Sequence, residues 1–332
     1  MSQQPLWIAE ADVVSLMDLS AAVGALERGL KLQAEGHARN MPKTHVSWGG
    51  GDTLHAIGAC FEGAGSAGTK TWAHTGGGAT PLLLMWDTRN GALLAIIEAF
   101  ALGQMRTGAM SGVATKWMAA EGADDFALIG TGKQALTQLA AVAAVRKLKR
   151  ARVFGRNAER RTKFIETAAA QGFGFRLEAA PSVAAAAQDA SIVTLVTRAR
   201  EPIFTAAMAA RGAHINAIGA ITPEREEFSQ DIFARAGLVA ADDPGTARQL
   251  SKEFRDFYGD SDAAWERVRP IGTLIAAGQK RPKDCDLTLF KAMGMGVSDM
   301  ALGVELYARA LAQGRGTFLE APRKIAPRLR PS

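Results

Sequence analysis

Between residues 125 and 157 the chain changes its hydrophobic rhythm twice. Phe126-Ala127-Leu128-Ile129 is a continuous apolar run of the length of a buried strand. It breaks at Gly130-Thr131-Gly132-Lys133-Gln134-Ala135, and Leu136, Leu139, Ala140 and Ala143 then recur at helical spacing. Arg146, Lys147, Lys149 and Arg150 gather at the far end, where cations suit the negative pole of a helix. Arg152-Val153-Phe154 is a second apolar strand, so the stretch predicts a strand–turn–helix–strand unit.

The same periodicities order the rest of the chain. A helix is predicted over residues 11–36, with Leu16, Met17, Val23, Leu26 and Leu30 on its apolar face. Short strand-like runs follow around Met41-Pro42-Lys43 and Gly68-Thr69-Lys70-Thr71-Trp72, then a glycine-rich turn at Thr75-Gly76-Gly77-Gly78. Runs 82–86 and 92–97 predict an antiparallel hairpin closed by Glu98. A helix over 101–120 carries Arg106 among small and apolar neighbours, either salt-bridged or kept for an anionic ligand. Beyond the central unit, helices are predicted over 164–172, 183–188, 202–210 and 299–313, and strands over 175–177, 191–196, 214–218, 238–241 and 287–290. The last helix shows Met300, Val304, Tyr307 and Leu311 on one face, with Gly314 placed to cap it. Strands alternating with helices predict a parallel sheet covered on both faces. The last dozen residues are expected to form a poorly ordered tail.

A length of 332 residues makes about two domains. The net charge of +6 is mild, and +4 of it falls between Arg315 and Ser332, where five basic residues meet one acidic. Nucleic acid would need a basic stripe that the remainder lacks. Cys60 and Cys285 stand far apart, and five scattered histidines form no metal-ligand pair, so no metal site is expected. The N-terminal stretch lacks a signal-peptide pattern, and no apolar run approaches the ~20 residues of a membrane span. A cytoplasmic protein is expected.

The glycines at the turn have specific uses. Gly130 permits the tight turn, Gly132 lets backbone N–H groups approach a pyrophosphate, and Ala135 keeps helix and strand close. A tight turn without ligand is the plainer alternative. After the second strand, an NAD site would usually carry a carboxylate for the ribose hydroxyl. Here Gly155-Arg156-Asn157 is followed by Arg160 and Arg161, which suit a 2′-phosphate or form a solvated basic loop. NADP(H) is favoured, with NAD(H) possible.

Five blocks in order resemble the ornithine cyclodeaminase/μ-crystallin family: Ala67–Lys70, Met105–Ala109, Leu128–Gln134, Ala213–Gly219 and Thr288–Gly294. The resemblance implies an α/β chain with a Rossmann-type parallel-sheet domain over 119–299. It also implies an α+β substrate-binding and dimerisation domain from 1–118 plus about 300–332, and a homodimer. By the same resemblance, Lys70 and Arg106 are the catalytic pair and hold the substrate carboxylate, with Lys43 and Met293 as further substrate contacts. Cofactor contacts carry over to Arg106, Thr107, Lys133, Gln134, Thr197, Ile218, Gly219 and Ala292, with Thr80 as a looser match. They join Gly130, Gly132, Arg156, Asn157 and Arg160 from the turn and the basic loop.

One departure bears on the reaction. Ile221 stands where ornithine cyclodeaminases have an aspartate, and isoleucine can neither accept a proton nor hold an ammonium group. The expected activity is reversible NAD(P)H-dependent reduction of a small 2-imino acid, with both cations facing the nicotinamide and no carboxylate beside them. The alternatives are a cyclodeaminase with a relocated acid, for which Glu98 and Glu224 are in reach by sequence, and a protein that binds NADPH and a small ligand without turnover. Glu98 otherwise closes the hairpin or pairs with Arg106. His55 and His74 are either pocket or structural residues, His214 is structural, and Asp299 is expected to help begin the last helix rather than take part in chemistry.

Overall fold

The computed structural model describes residues 4–330. Residues 1–3, where the stretch without a signal-peptide pattern begins, and 331–332, where the expected tail ends, lie outside the described residues. The first sheet takes strands β1 (Leu6–Ile8), β2 (Ala38–Trp48), β3 (Asp52–Phe61), β4 (Ser66–Thr75), β5 (Gly78–Ala79), β6 (Leu82–Asp87) and β7 (Leu93–Glu98). It is completed by Thr317–Phe318, and its order runs Thr317–Phe318, β1, β7, β6, β4, β3, β2, with β5 attached to β4. Among the described residues, only the β1–β7 pair of this sheet is parallel.

The second sheet takes β8 (Asp125–Ile129), β9 (Arg150–Phe154), β10 (Arg176–Ala179), β11 (Ile192–Leu195), β12 (His214–Ala217), β13 (Ala236–Ala241), β14 (Val268–Pro270) and β15 (Leu287–Lys291). Every pair in it is parallel, in the order β10, β9, β8, β11, β12, β15, β13, β14. Strand order reverses at β8, leaving a crevice at the carboxyl ends of β8 and β11.

The helix expected over 11–36 is two: α1 (Glu10–Leu16) and α2 (Leu19–Ala34). Asp18 restarts the helix, its side chain accepting from Ala21 N at 2.8 Å. Helix α3 (Phe100–Met118) crosses α4 (Ala135–Val145) at Gly108, where a Cβ would stand 2.6 Å from the Thr137 carbonyl oxygen. One apolar core joins the two sheets, running from Leu6, Leu26 and Leu83 through Met105 and Val113 to Ile271 and Phe290. α5 spans Ala158–Ala169, six residues earlier than expected at its start, because Asn157 caps it through Arg160 N at 2.8 Å.

Two other expectations change. Over 202–210 only Ala206–Met208 is helical, since Phe204 bridges Phe228 in extended backbone. In the C-terminal helix (Gly296–Gln313) Met300 is buried and Val304 and Tyr307 pack against the core as expected, but the buried side also runs through Asp299, Leu302, Gly303, Leu306 and Ala310, and Leu311 is 47% exposed. Gly296 and Gly303 let this helix lie directly on the first sheet, so small residues share its inward face with the bulky ones. Gly314 does close it, in left-handed backbone with φ 61°. Among the described residues no helix is long and apolar enough to cross a membrane, and no group of three His, Cys, Asp or Glu is placed to hold a metal.

Arg146 ends α4, yet its guanidinium serves the neighbouring helix, donating to the carbonyls of Thr115 (2.8 Å), Ala119 (3.1 Å) and Ala120 (3.2 Å) at the end of α3. Replacing Arg146 with alanine leaves those carbonyls without this donor. The expected loss is about 2–3 kcal/mol of stability, read as a lower urea midpoint with an unchanged slope. An unchanged midpoint would show that water replaces the guanidinium without loss.

Candidate active site

The first half of the site is the turn between β8 and α4. Gly130 has φ 126°, donates to the Phe154 carbonyl at 2.8 Å, and leaves no room for a Cβ, which would stand 2.5 Å from the Val196 carbonyl oxygen. Gly132 faces open space and Lys133 is exposed. No side chain caps the start of α4; Ala135 N donates to the Gly132 carbonyl at 3.0 Å, and the positive pole of the helix faces the crevice, where it suits an anion. These features fit a dinucleotide pyrophosphate. Past β9, Arg156 and Arg160 are exposed and pair with none of the described residues, while Arg161 folds back onto the Gly155 carbonyl at 2.8 Å. The Asn157 side-chain oxygen is taken by the start of α5.

The second half is a cluster of charge where the two sheets meet. Lys70 on β4 is buried, and its Nζ donates to Asp299 Oδ1 at 2.5 Å. Arg106 on α3 brings Nε to 3.3 Å from the same oxygen without the alignment of a hydrogen bond, and Asp299 Oδ2 has no partner among the described residues. Lys43 lies in a bulge of β2 between Met41 and Thr44, where Pro42 is tolerated because β2 is an edge strand. Lys43 keeps an exposed side chain, and its pKa is lowered first by the partial loss of water around it and then by Arg106, while Asp299 opposes the shift. Lys70 is pulled from 10.5 to about 8: burial lowers it most, Asp299 opposes, and Arg106 and Lys43 add to the fall. Three cations thus face one carboxylate, which suits an anionic ligand.

Buried acids fix the backbone around this cluster. Asp242, at the end of β13, accepts from Met293 N and Gly294 N, each at 2.8 Å. Gly294 has φ 85°, and a Cβ there would stand 2.9 Å from Arg106 Nη1, so this turn seats the guanidinium. Met293 and Ala292 are buried in the same turn. Glu227 accepts from Thr197 N and Oγ1 and from Gly219 N and Ala220 N, tying the loop after β11 to the one after β12. Ile218 is buried beside Gly219.

The expectations about carboxylates need correction. Asp299 does sit in the first turn of the last helix, but its buried carboxylate meets Lys70 and Arg106. The pocket is therefore not free of carboxylate. The signal was present in the sequence, because Asp299 shares a helical face with Leu302, Gly303, Leu306 and Ala310, and an acid on an apolar face needs a partner. Glu98 does not pair with Arg106; it accepts from Glu10 N at 2.7 Å. Glu224 is exposed and accepts from Thr222 Oγ1 at 2.8 Å. Ile221 is 36% exposed. The Thr107 hydroxyl bonds its own helix at Gly103 O (2.8 Å), Gln134 starts α4, and Thr80 is exposed between β5 and β6 with no tie to the cluster.

The histidines divide. His214 is buried between Thr288 Oγ1 (2.9 Å) and Asn216 Oδ1 (3.0 Å), and burial pushes its pKa down to about 3. His55 shares the Lys70 face of the sheet and stacks on Trp72 with centroids 4.8 Å apart. Burial, then Lys43, lowers its pKa, and its Nδ1 is buried without a partner. Lys70 Nζ lies 5.2 Å from the Trp72 ring centroid, which makes Trp72 and His55 a flat wall leading away from the cations. His74 is exposed farther along β4.

The profile of the ornithine cyclodeaminase/mu-crystallin family matches residues 4–314. Among curated relatives, a Delta(1)-pyrroline-2-carboxylate reductase of Bacillus cereus is 30% identical over 72% of this chain and 74% of its own. Two solved structures share the fold at TM-score 0.86. One is Thermococcus litoralis Delta(1)-pyrroline-2-carboxylate reductase in complex with NADH and L-proline, 24% identical over 95% of this chain and all of that one. The other is an archaeal alanine dehydrogenase dimer with bound NAD, 26% identical over 96% of this chain and 99% of that one. With the crevice, the uncapped helix and the buried charge cluster in place, the match over nearly the whole chain means that the protein belongs to the ornithine cyclodeaminase/mu-crystallin family.

Proposed function

We propose that the chain catalyses reversible reduction of small 2-imino acids, either cyclic ketimines such as Δ1-pyrroline- or Δ1-piperideine-2-carboxylate, or imines formed from a keto acid and an amine. The reductase and dehydrogenase relatives support an oxidoreductase of imino and amino acids. What carries the reading is the buried Lys70–Asp299 pair beside Arg106, in a pocket with an excess of two positive charges from Lys43, Lys70 and Arg106 against Asp299. When bound, the reduced dinucleotide supplies the hydride. Arg106 and Lys43 hold the substrate carboxylate and so orient the C=N carbon. Lys70 delivers a proton to the imine nitrogen, and Asp299 keeps Lys70 aimed and charged. With Asp299 present, the reading no longer rests on the absence of an acid. It rests on the acid being held by Lys70 and on isoleucine at position 221.

NADP(H) is the preferred dinucleotide in this reading, because Arg156 and Arg160 stand free at the end of β9. Residues 119–299 would form the dinucleotide domain, and 1–118 with about 300–332 the substrate-binding and dimerisation domain. A homodimer is supported by the outward face of the β2–β3 hairpin, where Val46, Trp48 and Leu54 are 59, 44 and 46% exposed, opposite the face that carries His55 and Lys70.

Three outcomes are expected. The protein consumes NADPH with cyclic 2-imino acids or with pyruvate plus methylamine, and Lys70→Met lowers kcat/KM by about 10²–10⁴. Tight NADPH binding without turnover on that panel would favour a binding protein, and ammonia release from ornithine would favour a cyclodeaminase built on Asp299. Because Lys70 donates in its charged form, imine reduction falls as pH rises through about 8, whereas amino acid oxidation rises through the same range. A reduction rate flat to about pH 10, the range of an unperturbed lysine, would remove Lys70 as donor. Replacing both Arg156 and Arg160 with alanine raises KM for NADPH about tenfold and leaves that for NADH near its starting value. Equal changes for both cofactors would make these arginines surface residues only.

A further inference from the structure

Glu227 is fully buried, in a segment that carries no dinucleotide motif. Its Oε1 accepts from Thr197 N at 2.5 Å and Thr197 Oγ1 at 2.8 Å, and its Oε2 from Gly219 N at 2.7 Å and Ala220 N at 3.1 Å. Packing around the carboxylate is tight. A Cβ on Gly219 would stand 2.0 Å from the Thr197 carbonyl oxygen and 2.6 Å from Glu227 Oε1. Burial raises the Glu227 pKa, while the Lys291 charge and the four donors aimed at its two oxygens favour the anion.

Behind it lies a second buried pair. Glu253 accepts from Glu227 N at 3.0 Å, from Ser251 Oγ at 2.8 Å and from Lys291 Nζ at 3.2 Å. Lys291, fully buried at the end of β15, also donates to the Ala220 carbonyl at 2.6 Å. Lys291 thus bonds Glu253 and not Glu227, and with both acids ionised against one ammonium the network carries one negative charge. It sits beneath the carboxyl ends of β11, β12 and β15, on the side of the crevice away from the β9 loop. In a sheet of this topology that side receives the nicotinamide half of a dinucleotide, and the β8–β9 side receives the adenosine half.

We infer that Glu227 is a positioning residue for the nicotinamide half: its carboxylate clamps the Thr197 and Gly219–Ala220 loops into one wall, and the uncompensated charge behind that wall favours the oxidised, cationic ring over the reduced, neutral one. Such a preference lowers the cost of giving up hydride and so works in the direction of imine reduction. The inference rests on the proposed dinucleotide site but not on the identity of the substrate.

Binding to the full-length protein tests it without turnover. Calorimetric titrations would compare the oxidised dinucleotide, the reduced dinucleotide and the matching ADP-ribose fragment on wild type, Glu227→Gln and Glu253→Gln. Glu227→Gln is expected to weaken the oxidised form about tenfold and the reduced form distinctly less, with the fragment within about twofold of wild type. Glu253→Gln keeps the four-bond clamp but removes the net charge. It is expected to shift the oxidised-to-reduced affinity ratio in the same direction, and it carries the test should Glu227→Gln fail to fold. An unchanged ratio, or equal weakening of all three ligands, would overturn the inference. Failure of the wild type to bind any of the three would instead overturn the dinucleotide site itself.

Discussion

The contact between Lys70 and Asp299 binds the two halves of the site into one. Lys70 comes from the middle of the first sheet, Asp299 from the helix that follows the second sheet, and Arg106 from the helix that links the sheets. Neither charge is tolerable in its buried position alone, and removing one partner from such a pair typically costs about 3–5 kcal/mol. The pair is therefore both a structural clasp and a chemical device. Burial draws Lys70 down, Asp299 holds it up, and the balance leaves it at about 8, where a lysine can still donate a proton near neutrality.

The backbone is shaped to permit that contact. The first turn of the last helix touches β3, where a Cβ on Gly296 would stand 1.8 Å from the Gly58 carbonyl oxygen, and Gly68 leaves room for the Met300 sulfur. Larger residues at these points would hold the helix, and Asp299 with it, away from Lys70. On the other side, Asp242 and Glu227 hold the ends of the parallel strands by accepting backbone N–H groups. Burial raises the pKa of both acids, and hydrogen bonds from those N–H groups oppose the rise. The cleft is thus lined by loops that a buried anion holds from behind, an arrangement suited to a rigid site.

Much of this was legible beforehand, for physical reasons that differ by region. The β8–α4–β9 unit announces itself because a continuous apolar run, two glycines and a change of period fall in order, and the structure repeats them with Gly130 in positive-φ backbone. Lys70 and Arg106 stand out as charges among small or apolar neighbours. Asp299 is equally anomalous but sits at a helix start, where an acid has an ordinary explanation in the dipole. Glu227 and Asp242 escape notice because each works on backbone groups brought in by other segments, a relation that no local spacing reveals. The helices at Asp231–Arg235, Lys252–Tyr258 and Ile271–Ala276 are too short to establish a period. On the last helix the expected face holds for Met300, Val304 and Tyr307 and fails at Leu311, where the contact has passed to Leu306 and Ala310.

The most direct measurement is the titration of Lys70 itself, followed by the Cε resonance of isotope-labelled lysine in wild type and in Asp299→Asn. Assignment comes from loss of the signal in Lys70→Met. The expected midpoint in wild type is about 8, and it moves lower when the Asp299 charge is removed, since that carboxylate is what raises it. A midpoint near that of free lysine, about 10.4, or one indifferent to Asp299, would show that the two groups do not form the buried pair on which the site is built.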